Sequence, residues 1–251
     1  WLDGWYTASL QAADEQTDFL DTSSLEFVAS RSGKYNEHLD LIASMHVLRE
    51  RWNYFTLAKP IPVYQYASIA FPELRAEYID VDDRLTPRRG ASGTVMLRAG
   101  TGIGDAGANF AQLHATAQWF HGFDADSRLL VRGELGHTFT DELVGMPPSL
   151  RFFAGGDRSI RGYAWREVGP RILDDYAVGA KNVMTASVEY EHYLNGGPWG
   201  AAVFVDTGSA FDSKPDLHTG IGIGARWRSP VGPVRIDVAH GLNDPDSSFQ
   251  I

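Results

Sequence analysis

The chain has 251 residues, 22 Lys and Arg against 32 Asp and Glu, 26 glycines and no cysteine. A net charge of -10 excludes the basic face that a nucleic-acid binder needs, and the lack of cysteine excludes disulfides and thiolate metal sites. No apolar run reaches the about 18 residues of a membrane-spanning helix, which leaves a β-barrel open because its lipid-facing and inward residues alternate and their averages cancel.

The first residues, Trp1 to Leu10, show neither a basic n-region nor an apolar h-region, so no signal peptide is read there. The chain opens in mid-pattern, and we expect it to be the internal part of a longer precursor. Alternation then begins. Leu25, Phe27 and Ala29 oppose Ser24, Glu26, Val28 and Ser30, and Leu39, Leu41, Ala43, Met45 and Val47 oppose Asp40, Ser44 and His46. A proline-bearing connection follows at about 55–65. Asp82 to Gly90 reads as a turn. Gly100 to Gly107 has the glycines of a dinucleotide loop but no βαβ unit around it, so it reads as a hairpin turn. Leu113, Ala115, Ala117 and Trp119 oppose Gln112, His114, Thr116 and Gln118. Further alternating runs lie at 128–137, 183–194, 201–206, 218–228 and 234–240. The pattern predicts about twelve antiparallel strands and no helix. Strands of roughly ten residues suit a tilted crossing of a bilayer. Aromatic residues near strand ends (Trp5, Tyr6, Trp52, Tyr54, Trp119, Phe120, Tyr190, Tyr193, Trp199) suit an interfacial girdle. A transmembrane barrel is the leading fold and a soluble β-sandwich or barrel the alternative.

The long connection at about 138–179 holds the least ordinary stretch, Phe152-Phe153-Ala154-Gly155-Gly156-Asp157-Arg158-Ser159-Ile160-Arg161-Gly162-Tyr163. Its serine lacks the flanking glycine spacing of a nucleophile elbow. The eight histidines show no metal-ligand spacing, and no carboxylate pair stands out as a glycosidase dyad. The chain reads as non-enzymatic, with no cofactor and no metal.

Pro147 to Arg151 followed by that stretch resembles the sixth-loop signature of the BamA/TamA superfamily of outer-membrane barrels (the bacterial surface antigen family). Its wider form is most similar to the TamA branch. Phe204-Val205-Asp206-Thr207-Gly208 resembles the strand motif of the superfamily, and Gly224 to Asp237 its penultimate-strand segment. Asp82 to Gly90 is similar to the mid-barrel turn region. The resemblance implies an all-β antiparallel transmembrane β-barrel spanning 1–251 in part, with POTRA domains upstream, the first strands missing and the last strand cut within Phe249-Gln250-Ile251.

The resemblance also implies that the loop folds into the lumen. There Ile160, Arg161, Gly162 and Tyr163, with Gly155, Gly156 and Asp157, form a lock against acidic wall residues Glu189 and Asp206, beside the strand-motif residues Phe204 and Gly208. Alternation agrees on placement. Ser187, Glu189 and Glu191 share one face, as do Phe204 and Asp206, and a carboxylate facing lipid would cost roughly 2–3 kcal/mol. A planar guanidinium bridges two carboxylates where an ammonium cannot, and Gly220, Gly222 and Gly224 make a smooth stripe for a loop to lie against. Without the resemblance, Asp206 also reads as a turn cap, Glu189 as the partner of any inward Lys or Arg, and the glycine stripe as sheet curvature.

The function implied is assembly or insertion of other outer-membrane proteins, autotransporters among them, in the outer membrane of a Gram-negative bacterium. The implied partners are outer-membrane lipids, nascent β-barrel clients and a TamB-like periplasmic protein, with no nucleic acid. Alternatives are another barrel of the superfamily (a general assembly-machine subunit, a secretion pore, the barrel of a fused passenger enzyme) or a soluble ligand-binding β-barrel.

Overall fold

Alternating sequence becomes strand through nearly the whole chain. A computed structural model describes residues 3–17, 19–54, 64–104, 107–172 and 176–243. Its strands are β1 (Gly4–Gln16), β2 (Leu20–Lys34), β3 (Leu39–Tyr54), β4 (Gln65–Val81), β5 (Gly90–Gly102), β6 (Phe110–Gly122), β7 (Ser127–Phe139), β8 (Arg171–Ile172), β9 (Tyr176–Ala177), β10 (Asn182–Tyr193), β11 (Trp199–Phe211), β12 (His218–Ser229) and β13 (Gly232–Gly241). Eleven of them form one sheet in the order β1-β2-β3-β4-β5-β6-β7-β10-β11-β12-β13, and β8-β9 is a separate two-stranded hairpin. Among the described residues the sheet has eleven strands where about twelve were expected, and the long loop adds the β8-β9 hairpin. The only helical pieces among the described residues are single 3-10 turns at Pro148–Leu150 and Leu194–Gly196. The end of the expected last strand, and most of the proline-bearing connection before β4, lie outside the described residues.

Local chemistry sets the turns. Asn36 Oδ1 accepts the backbone N–H of His38 and Leu39 at 2.9 and 2.8 Å. Asp124 Oδ1 accepts those of Asp126 and Ser127 at 2.8 and 2.7 Å. Asparagine 195 adopts the left-handed conformation (φ 49°) that Asn tolerates better than most residues.

The chain divides into two compact units. The first holds Trp1–Glu77, Val95–His114 and His137–Arg151, and the second Tyr78–Thr94, Ala115–Gly136 and Phe152–Ile251. The core of the first gathers Leu20, Leu48, Trp52, Ile69, Phe71, Phe110, Met146 and Leu150. That of the second gathers Phe152, Ile160, Tyr163, Val168 and Val183. In both, the loop between β7 and β10 supplies core side chains, so the sheet alone does not complete either core.

The two faces of the sheet invert the usual soluble arrangement. Leu25, Phe27, Val203, Val205, Ile221 and Ile223 are exposed, whereas Glu189, Glu191, Asp206 and Arg226 are at most 1% exposed. A buried charge and an exposed apolar stripe are the informative departures from chance. The same alternation corrects part of the expected aromatic girdle. Trp119, Tyr190 and Trp199 stand on the apolar face, but Trp52, Phe120 and Tyr193 are buried because their parity turns them to the polar face.

Candidate functional site

The described part of the loop between β7 and β10 is folded, not extended. Phe152 bridges Ala180 and Ala154 bridges Val168, which ties its two limbs together. The tip closes through the Gly156 N–H to the Tyr163 carbonyl and the Ser159 N–H to the Gly156 carbonyl, both 3.0 Å. Gly162 sits at φ +93°, and a Cβ there would lie 2.6 Å from the His240 carbonyl carbon, so both conformation and space demand glycine.

That turn presents Arg161 to the polar face of β10 to β13. Its Nε and Nη2 donate to Asp206 at 2.7 and 2.9 Å, its backbone N–H reaches the same carboxylate at 3.1 Å, and Nη1 donates to Glu189 at 2.7 Å and Asp237 at 3.0 Å. The guanidinium carbon lies 3.3 Å from the centre of the Phe204 ring, adding a cation–π contact. Arg161 is 5% exposed and both Asp206 and Glu189 are fully buried. Burial disfavours the charge, but hydrogen bonds and charges from Asp206 and Glu189 outweigh it and hold the guanidinium pKa above its ordinary value.

A second arginine completes the arrangement. Arg226 of β12 donates to Glu189 at 2.7 Å, Glu191 at 3.0 Å and Asp237 at 2.5 Å, and Arg128 of β7 donates to Glu191 at 2.6 Å. Glu189 is therefore shared between Arg161 and Arg226, which distributes its lone pairs over two forks. Arg226, Asp237 and Arg128 were not among the candidate residues from sequence. The usable signal was parity, since Arg226 shares a face with Gly220, Gly222 and Gly224.

The glycine stripe has three separate reasons. A Cβ at Gly220 would collide with the Arg161 carbonyl oxygen, one at Gly222 with the Phe204 ring, and one at Gly224 with Asp237 and Arg226. Only Gly220 receives the loop backbone, and the other two make room for neighbouring side chains. Tyr163 places its hydroxyl 3.3 Å from the Thr219 carbonyl and accepts the Asn243 N–H at 3.0 Å. Its ring passes 2.7 Å from where a Cβ of Gly241 would stand. Ile160 is fully buried. Gly155 and Gly156 have φ of 102° and 93°. Gly208 lies where a Cβ would meet the Met184 carbonyl at 2.5 Å. Asp157 is exposed and stands apart from the cluster.

The proximal limb of the loop is held within the first unit. Ser149 donates its hydroxyl to Glu50, which is 1% exposed. Arg151 donates to the carbonyls of Met146 (2.7 Å) and Val144 (2.9 Å) and to the Tyr54 hydroxyl (3.1 Å). Gln112 donates to the Leu150 carbonyl at 2.9 Å and to Thr138 at 2.6 Å.

One other cluster has the order of hydrolase chemistry. Ser44 Oγ lies 2.8 Å from His46 Nε2, and His46 Nδ1 lies 2.8 Å from Glu26. All three project from paired strands whose central positions commit their backbone N–H groups to the ladder. Such a strand offers no paired amides for an oxyanion, so the cluster reads as a satisfied polar network with His46 stacked on Phe71 at 4.6 Å. Among the described residues no group of His, Asp and Glu could hold a metal ion. No described helix is long and apolar enough to cross a membrane, a statement that leaves strands untouched.

Residues 73–250 match the family model described as the Omp85 superfamily domain. Over 107 residues the chain is 31% identical to an outer membrane protein assembly factor BamA from Nitratidesulfovibrio vulgaris, covering 39% of this chain and 14% of the relative. The crystal structure of BamA from Haemophilus ducreyi lacking POTRA domains 1-3 superposes with a TM-score of 0.78 at 13% identity, over 98% of this chain and 57% of that one. CdiB from Acinetobacter baumannii superposes with a TM-score of 0.60 at 13% identity, over 92% and 41%. The chain thus spans well under two thirds of each of these relatives, and at such identities the structural likeness shows the fold alone: an all-β antiparallel sheet that fits part of a BamA-type barrel.

Proposed function

The chain belongs to the Omp85 superfamily, and from that premise we propose that it is part of the barrel of an outer-membrane assembly factor of the TamA type. The observation that carries the reading is the buried contact of Arg161 with Asp206 and Glu189, which fastens the signature loop to the polar face of the sheet. Such a barrel breaks no covalent bond. It lowers the cost of inserting client β-barrels, by offering strand edges for pairing within a bilayer that its own apolar face perturbs. Arg161, Gly162 and Tyr163 act as the lock that keeps the loop folded inward, with Glu189 and Asp206 as its wall partners. The protein resides in the outer membrane of a Gram-negative bacterium, its clients are nascent outer-membrane proteins such as autotransporters, and a TamB-like protein is its periplasmic partner.

The inverted faces of β10 to β12 support membrane residence, because Val203, Val205, Ile221 and Ile223 point away from the charged cluster. The similarity to BamA favours one second reading, a general barrel-assembly subunit. Complementation separates the two. The full-length protein should restore surface display of an autotransporter in cells lacking the TamA-type factor, and Arg161→Ala should be produced at normal level yet fail. Rescue only of cells depleted of BamA would favour the second reading. Full activity of Arg161→Ala in either strain would remove the lock.

A further inference from the structure

The short turns of the second unit carry apolar side chains where turns are ordinarily polar. Leu85 between β4 and β5, Phe123 between β6 and β7, Leu194 between β10 and β11 and Val231 between β12 and β13 are exposed by 75%, 56%, 59% and 98%. Such residues scattered singly need no explanation, but these stand in a row on successive hairpins of one sheet. Hydrogen bonds stitch the turns together. Arg89 Nη2 reaches the Gly122 carbonyl at 3.5 Å and Arg128 donates to the Pro87 carbonyl, which joins the first turn to β6 and β7. The Tyr193 N–H donates to the Asp126 carbonyl and the Arg228 N–H to the Pro198 carbonyl, both at 2.8 Å. The row is therefore held in place, and neighbouring tips, two strands apart in the sheet, stand about 10 Å from one another.

Lipid does not account for these side chains. Trp119, Tyr190 and Trp227 lie four residues before Phe123, Leu194 and Val231, and aromatic residues of a strand end mark the headgroup level. Four residues of tilted strand carry the chain about 10 Å further, so the tips stand in the aqueous space beyond. The row is also cationic at one end. Asp82 and Asp83 direct their Oδ1 atoms to backbone N–H groups of their own turn. Among the described residues the guanidinium groups of Arg84 and Arg88 meet no carboxylate, and that of Arg89 meets only the Gly122 carbonyl.

We propose that this rim docks an amphipathic helix of a periplasmic partner protein, with apolar side chains one heptad apart on Leu85, Phe123, Leu194 and Val231 and an acidic end on Arg84, Arg88 and Arg89. The inference rests on the reading that the apolar face stands in a membrane, since short turns are then the periplasmic ones. A helix fits because seven of its residues rise about 10.5 Å, the spacing of the tips. An extended segment would need main-chain partners, and closed hairpin tips offer few. The acidic end follows from the three arginines, whose forks suit carboxylates.

The test uses the full-length protein in phosphatidylcholine nanodiscs and a fluorescent helical peptide of about 22 residues, with one leucine per heptad and glutamates in its first two turns. A second peptide carries lysines in place of the glutamates. Anisotropy should show roughly tenfold weaker binding of the lysine peptide. Arg84→Glu combined with Arg89→Glu should reverse that preference. Leu85→Ser combined with Val231→Ser should weaken both peptides, while Arg158→Glu in the long loop should change neither; all variants should keep heat-modifiable migration. Equal binding of the two peptides, or binding of the glutamate peptide that survives both double variants, would overturn the site. Displacement of the glutamate peptide by short-chain phosphatidylglycerol but not by short-chain phosphatidylcholine would assign the arginines to lipid headgroups and overturn the protein partner. Recovery of the folded protein in aqueous buffer without detergent would instead overturn the membrane reading, whatever the peptides do.

Discussion

Removing Arg161 strips two buried carboxylates of a partner at once. Asp206 and Glu189 are fully buried, and a buried charge left uncompensated costs about 3–5 kcal/mol. Arg161→Ala should therefore lower the unfolding free energy of the detergent-solubilised protein by that order, read as a shift of the urea midpoint. Arg161→Lys should recover only part of it, because an ammonium cannot serve Asp206 and Glu189 with parallel donors as the fork does. Arg226 softens the loss, since it still holds Glu189 at 2.7 Å, so Asp206 bears most of the penalty. Gly220 offers a test that leaves every charge in place. A Cβ there collides with the Arg161 carbonyl oxygen, whereas one at Gly133 meets only the Thr185 oxygen at 3.8 Å. Gly220→Ala should raise proteolysis within 155–163 several-fold, while Gly133→Ala should match the parent; equal cleavage of the two variants would mean the loop does not rest on Gly220. At this scale parity placed Glu189 and Asp206 on one face, and the resemblance pointed Arg161 at them. Arg226 escaped notice because a lone arginine in an apolar-polar strand looks like any solvated charge until its three carboxylate neighbours are seen.

Turns and loop limbs are elements whose stability rests on a few polar groups. The turn between β4 and β5 is organised by Asp82, whose Oδ1 accepts the backbone N–H groups of Asp83, Arg88 and Arg89 at 3.0, 2.8 and 3.1 Å. Burial pushes its carboxyl pKa up, but those three N–H groups prevail and hold it below the ordinary aspartate value. A carboxyl depressed in the folded state contributes stability above its unfolded pKa of about 3.9 and loses it as pH falls through the folded value. Protection of the Arg88 and Arg89 amides from exchange should accordingly decline below about pH 4, and Asp82→Asn should abolish that pH dependence, as amide exchange measured across pH would reveal. The proximal limb of the long loop depends on Glu50, which accepts from the Ser149 hydroxyl. Glu50→Gln should loosen residues 144–151 by about 1–3 kcal/mol, visible as faster exchange at Leu150 and Arg151 with exchange at Ile160 unaltered. Strands were the legible elements, because a period of two over ten residues leaves little room for another structure. The β8-β9 hairpin and the anchoring of 144–151 were illegible: two-residue strands carry no periodicity, and contacts such as Glu50 with Ser149 join residues far apart in sequence.

Over the whole molecule, composition is misleading and distribution is informative. The excess of acidic groups suggests an ordinary polar protein, yet on β10 to β12 Glu189, Glu191, Asp206 and Arg226 are buried while Val203, Val205, Ile221 and Ile223 are exposed. An exposed apolar stripe of that kind would drive association in water, which is the reason for proposing that this face stands in lipid. The solvent can be tested by the sign of a single substitution. Ile223 is 65% exposed near the middle of β12 and pairs with Val203 and Val238 on the same face. In lipid, Ile223→Arg should cost roughly 2–4 kcal/mol if the position lies at mid-membrane depth, seen as a smaller folded fraction by heat-modifiable migration after refolding into vesicles. Ile223→Leu should be neutral. In water the opposite holds, since an arginine at an exposed apolar site relieves a patch and raises the soluble folded yield. A destabilised Arg variant in vesicles places this face in lipid. An Arg variant that folds as well as the parent, or better, would place it in water and return the chain to the soluble β-barrel reading.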